Sequence, residues 1–183
     1  MIDGELNLIR QAQEGDKEAY GQLYDRYIAQ IYRFVVVKVT NKDEAQDLTH
    51  EVFLSAWQNL KNYKHQGFPF SSWLYQIARN KVIDHYRTKK DHADVYEIDE
   101  EFVKVASVVE SNLDVRLAMD DIKKALATLS DEQKDVIVMK FVEDLSNEEI
   151  AKAMNKSEGA IRLLQHRAIN NLKELLWTDL NKS

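Results

Sequence analysis

Two helix starts in the second half of the chain leave little choice of fold. Ser130 is followed three residues on by Gln133, and Ser146 by Glu149. In such a capping box the Ser oxygen accepts from the backbone of the third helical residue, and that residue's side chain reaches back to the cap. Leu145 and Ile150 flank the second box in the positions of a hydrophobic staple. The stretch SNEEIAKAMNKSEGAIR therefore reads as two helices broken by a three-residue turn. Ala151 is small where the helices must touch, and Asn155 tolerates a left-handed turn. Ile161 anchors the second helix, and Leu164, Ala168 and Leu172 continue its buried line. Its opposite face carries Gly159, Arg162, Leu163, His166 and Arg167. Those cations suit base edges and phosphates, although a helical hairpin with basic decoration has the same pattern.

The rest of the chain is also helical in pattern. With five Gly and one Pro in 183 residues, few sharp turns are available. Apolar residues at three- and four-residue spacing predict helices over 5–14 and 17–39. Asn41, with Glu44, caps a third helix that turns Ala45, Leu48, Val52, Phe53, Ala56, Trp57 and Leu60 inward. The loop KNYKHQGFPF follows, then a long helix over 70–89 and a final one over 158–177. The expected fold is all-α: two small helical domains, 1–90 and 113–183, joined by an acidic linker over 91–112. A helical turn is expected at 103–109, and the second domain contains the helix-turn-helix.

A net charge of −6 argues against a nucleic-acid binder until it is mapped along the chain. Residues 91–112 hold seven acids and one base, which matches the whole net charge. Residues 79–90 and 152–173 each hold five bases and one acid. Two basic segments are thus separated by one acidic segment. The chain has no Cys, which excludes disulfides and Cys-based zinc sites. The start MIDGELNLIR predicts no signal peptide, and no apolar run is long enough for a bilayer. A cytoplasmic protein with no membrane insertion is expected.

Two further constellations stand out. DLTHE places Asp47, His50 and Glu51 on one helix face. This is half of a helical metal site, but no second acid-x-x-His completes it, so no metal or other cofactor is expected. The loop before Pro69 interleaves Lys61, Lys64 and His65 with Tyr63, Phe68, Phe70 and Trp73. Cations with rings are the composition of a single-strand site, where charge follows the backbone and aromatic groups accept unstacked bases. The same rings could instead close a small core, the better reading for Phe70 and Trp73. No P-loop, GxSxG elbow or Gly-rich dinucleotide turn occurs, and no enzyme is expected.

AQEGDKEAYGQLYDRY, DEAQDLTHEVFLSAW, FPFSSWLYQIARNKVIDHYR and LSDEQKDVIVMKFVEDLSNEEIAKAMNKSEGAIRLLQHRAINNL resemble, in that order, stretches of the extracytoplasmic-function (ECF) class of bacterial sigma factors. The resemblance implies that the first domain binds core RNA polymerase and melts the minus-ten element. It implies that the second reads the minus-thirty-five element. Asp47, His50 and Glu51 then fall on the polymerase-binding helix. Lys61, Asn62, Tyr63, Lys64, Phe68 and Phe70 belong to the melting loop, and Arg79, Asn80, Asp84 and Arg87 lie along the promoter duplex. Ser157, Gly159, Arg162, Leu163, His166 and Arg167 enter the upstream major groove. Promoter DNA, core polymerase and an anti-sigma factor are the implied partners. Asn155 and Lys156 stand where the family usually has Gly and an aliphatic residue, and Leu163–Leu164 replaces a frequent small–basic pair. The runner-up reading is a stand-alone helix-turn-helix regulator; a helical adaptor that binds only protein is a third.

Overall fold

The computed structural model describes residues 2–39, 41–88 and 126–180, and among them every regular element is helical. Helix α1 (Ile2–Gln13) ends before Gly15, whose φ of 102° turns the chain. Asp16 then caps α2 (Lys17–Val36) by accepting from the amides of Glu18 and Ala19 at 2.8 and 3.2 Å. Ala19, Leu23, Tyr27, Ile31 and Phe34 form the buried line of α2. Asn41 accepts from the Glu44 amide at 2.9 Å to start α3 (Lys42–Asn59), which a short 3-10 turn over Leu60–Asn62 extends. Helix α4 (Phe70–Thr88) returns across α2 and α3. Phe34 and Tyr75 meet edge to face at 5.4 Å in the core of this first unit. Trp57 packs against that core from its edge, half-buried and tilted over Tyr20 at 4.7 Å.

The second unit comprises α5 (Asp131–Ile137), α6 (Asn147–Met154) and α7 (Glu158–Leu180). Both capping boxes form in full at Ser130–Gln133 and Ser146–Glu149. Asn155 takes the left-handed conformation at φ 52°, ψ 48° and closes α6. Ile161 and Ala168 are fully buried under α7. The helix that starts at Ser130 is regular only to Ile137 and then opens into a π turn over Val138–Val142. There the Glu143 amide reaches the Val138 carbonyl at 3.1 Å, and Asp144 follows at φ 52°.

The two units pack directly, with α4 against α6. The Arg33 guanidinium donates twice to the Glu143 carboxylate, both at 2.7 Å. Asp135, 1% exposed, accepts from Lys38 and from Arg79 Nε, the latter at 3.0 Å. Glu132 links Arg79 at 3.3 Å to Lys156 at 2.9 Å. The expected linker 91–112 and its turn at 103–109 lie outside the described residues.

Candidate nucleic-acid interface

The loop after α3 is held in shape from below. The Gln13 amide donates to the carbonyls of Leu60 and Tyr63, at 2.9 and 2.8 Å, and so ties α1 to the loop. The Tyr63 ring lies edge-on to Phe70 at 5.3 Å and tilted on Trp73 at 4.7 Å. Gly67 supplies a φ of 83° that side chains rarely adopt. The Pro69 carbonyl accepts from the Ser72 amide at 3.0 Å at the head of α4.

Between the loop and α4 lies a cleft of about 250 Å³, lined by Asn62, Tyr63, Lys64, Gln66, Phe68, Pro69, Ser72, Trp73, Gln76 and Lys152. This is below the roughly 300–1,000 Å³ typical of drug-sized ligands and suits a single flat ring system. Ser72 Oγ is buried there without a hydrogen-bond partner among the described residues. Burial first, and then the Glu5 carboxylate, pushes the Tyr63 hydroxyl up to about 12, so it stays a donor at neutral pH. Of the loop residues expected to meet DNA, Asn62, Tyr63, Lys64 and Phe68 line the cleft and Lys61 is exposed beside it. Phe70 does not line it. At 1% exposure it belongs to the core and supports Tyr63 and Trp73 from behind. Gln13 escaped sequence reasoning because its partners lie 47 and 50 residues away.

Along α4, Asn80, Asp84 and Arg87 are exposed, and Arg87 pairs loosely with Asp84 at 3.8 Å. Arg79 is engaged by Asp135 and Glu132 and is not open to solvent in the way the other three are. On α3, Asp47, His50 and Glu51 are all exposed, with Glu51 near Lys81 at 3.4 Å. His50 also borders an apolar groove of about 350 Å³ with Lys17, Tyr20, Tyr24, Phe53, Leu54 and Trp57. Leu54 at 57% exposure was the sequence signal for this groove: an apolar residue one turn after His50 on a polar face.

On α7, Ser157 Oγ accepts from the Ala160 amide at 3.2 Å and starts the helix. Gly159, Arg162, Leu163, His166 and Arg167 are all exposed, as the helical period requires. Nothing crowds Gly159, and Arg162 folds back on Glu158 at 2.9 Å. Gln165 donates to Asn147 at 2.8 Å, fixing α7 against the start of α6.

Comparison with known proteins gives the same two-part division. The family Sigma-70 region 2 matches residues 23–92, and Sigma-70, region 4 matches residues 125–174. The ECF RNA polymerase sigma factor BldN of Streptomyces coelicolor is 36% identical over 183 residues, covering 95% of this chain and 66% of BldN. The RNA polymerase sigma factor CarQ of Myxococcus xanthus is 32% identical over 163 residues, covering 89% of this chain and 92% of CarQ. The fold is like that of CnrH, solved in complex with the cytosolic domain of CnrY, with a TM-score of 0.73 at 24% identity over 96% of this chain and 99% of CnrH. With both sigma-70 regions matched in order, this chain belongs to the ECF RNA polymerase sigma factors.

Proposed function

We propose that residues 1–90 bind core RNA polymerase and melt the minus-ten element, that residues 113–183 read the minus-thirty-five element, and that 91–112 connects them. One observation carries this division: an aromatic-walled cleft in the first unit stands against an open basic helix face in the second. Extruding a base costs about a few kcal/mol, which a shaped pocket must offset. Tyr63, Phe68 and Trp73 offer ring faces, and Asn62, Tyr63 and Ser72 offer polar atoms to a base edge. Lys61 and Lys64 are placed to hold the displaced strand's phosphates, while Asn80, Asp84 and Arg87, with Arg79 once released, run along the duplex. Phe70 acts as the brace beneath.

On the other unit, Arg162, His166 and Arg167 reach base edges or phosphates, Leu163 touches apolar base atoms, and Ser157 and Gly159 allow close approach. His50 lines the apolar groove and Asp47 and Glu51 are exposed on the same helix, a surface suited to a basic amphipathic helix of the polymerase. A protein inhibitor of the anti-sigma kind is an expected partner, and the place of action is the cytoplasm. The chain itself performs no covalent chemistry in this reading. No helix among the described residues is long and apolar enough to cross a membrane.

The test is transcription in vitro with purified core polymerase, followed by sequencing of the RNA starts. Starts at a shared spacing below one promoter sequence are expected only when the chain is added. A specific duplex shift by the chain alone, with no effect on the polymerase, would replace this reading with the stand-alone regulator.

A further inference from the structure

We infer that the cleft between the loop and α4, completed by Lys152 of α6, is a binding site for a free nucleoside monophosphate. The inference rests on the chemistry of the cleft and goes beyond the entry of an extruded base assigned to it above.

Charge picks out the cleft first. The chain carries 25 Lys and Arg against 31 Asp and Glu. Yet Lys64 and Lys152 both line this cleft, and among the described residues no Asp or Glu does. Two cations without a carboxylate attract an anion. Lys152 Nζ stands 5.7 Å from the centre of the Phe68 ring, and its hydrogen bond goes to a neutral acceptor, the Gln66 amide oxygen. A phosphate oxygen is the stronger acceptor for an ammonium and can take that place.

The walls decide what carries the anion. Tyr63, Phe68 and Trp73 line the cleft with rings, and about 250 Å³ holds one flat heterocycle with its phosphate turned toward the exposed Lys64 and Lys152. Asn62 and Gln76 add amides, whose paired donor and acceptor match the edge of a base. Inorganic phosphate would leave the rings and amides unused, and an uncharged ring would leave the lysines unused.

Ser72 adds a buried polar atom whose hydrogen bond is unmade. It is 1% exposed, it lines the cleft, and its Oγ has no partner among the described residues. A hydroxyl in the first turn of a helix can bond back to a carbonyl four residues earlier, and this one does not. A buried hydroxyl left unpaired is unfavourable, and a ring nitrogen or carbonyl entering the cleft removes that cost.

The test is titration calorimetry of the full chain with adenosine 5′-monophosphate, without polymerase. Saturable binding with a Kd below about 1 mM is expected from one stacked ring and two cations. Ribose 5-phosphate, which lacks the ring, should bind at least about tenfold more weakly, and Phe68→Ala should weaken the monophosphate by about the same factor. Lys152→Gln should weaken it several-fold, most at low salt. Ser72→Ala should weaken it without lowering Tm, since no hydrogen bond within the protein is lost. In isotope-labelled protein the Trp73 indole signal should shift with saturation while that of Trp57, in the apolar groove, stays.

A Kd above that limit overturns the inference, as does a shift of Trp57 in place of Trp73. Equal affinity for ribose 5-phosphate also overturns it, because the lysines are then a plain phosphate site. A single-stranded oligodeoxyadenylate separates the two sources of the same chemistry. If it binds and the monophosphate does not, the cleft takes a nucleotide only within a strand, and the inference falls while the melting reading stands. If the monophosphate binds and a Gly/Ser loop over 61–68 still opens promoters normally, the nucleotide site stands and the melting reading fails.

Discussion

The loop over 61–70 and the outer face of α7 both mix cations with apolar groups, but they are built in opposite ways. The α7 face is a product of one period. Given the Ile161 and Ala168 anchors, the exposure of Arg162, Leu163, His166 and Arg167 follows from helical geometry alone. The loop has no period. Its shape depends on Gln13 from α1, on the rings of Phe70 and Trp73 from α4, and on one left-handed glycine. A face of this kind should lose function residue by residue, and a cleft of this kind should lose it all at once.

The largest effect should come from the cleft. Replacing residues 61–68 by a Gly/Ser loop should abolish permanganate reactivity of promoter thymines while core binding and the closed complex survive. A pre-melted template should restore part of the transcription, because unpairing is then already done. Loss of core binding in the same swap would make the loop a structural brace, and normal opening would remove it from melting.

Next in size is the contact that joins the two units. Asp135→Ala leaves Lys38 buried without its partner and should cost about 3–5 kcal/mol, the range for breaking a buried pair from one side. Urea unfolding reads this directly. A loss below about 1 kcal/mol, the ordinary value of an exposed pair, would mean that the contact opens readily to water.

What the sequence shows of these regions divides along the same line. Caps, the Asn155 turn and the α7 face are local, and each was legible from residues within four positions of one another. The interface was not. Arg79 reads as one more base in the run 79–90, and its partners Glu132 and Asp135 are 53 and 56 residues away. Charges that pair across units look the same in sequence as charges that face water. Trp57 packs against the core as the apolar line of α3 predicts, but it is only half-buried, because it also rests on Tyr20 at the edge of a groove that the sequence does not show. The π turn over Val138–Val142 has no signal in composition, since it shifts the hydrogen bonds by one residue without changing residue types.

A smaller effect tests additivity on the α7 face. Arg162→Ala should weaken upstream promoter binding by about 1–3 kcal/mol if the side chain reads a base. Leu163→Ala should lose less, and only where a thymine methyl is present. The double variant should equal the sum of the two if the face acts residue by residue. Identical losses on all upstream sequences would mean that neither side chain reads bases.

The last contrast vanishes near neutral pH and emerges only in alkali. Tyr20, Tyr27, Tyr63 and Tyr75 all lie in the first unit, and burial raises the hydroxyl of each, Tyr63 to about 12. Residues 126–180 contain no Tyr. Below about pH 10, the ordinary tyrosine value, these phenols are neutral in the folded and unfolded states and their contribution to stability is complete. Above it the unfolded chain ionises first, so the first unit loses stability as pH climbs from there to about 12 for Tyr63, and further for the others. Lys134 in the second unit has the opposite sign. Burial lowers its pKa, so the folded state is penalised while it is charged, and stability is gained as pH rises to the ordinary lysine value of 10.5. Methyl signals of Val52 and Leu74 should therefore collapse at lower pH than those of Val136 and Ile161. If the second unit's signals go first, burial of the phenols does not set the alkaline limit of this protein.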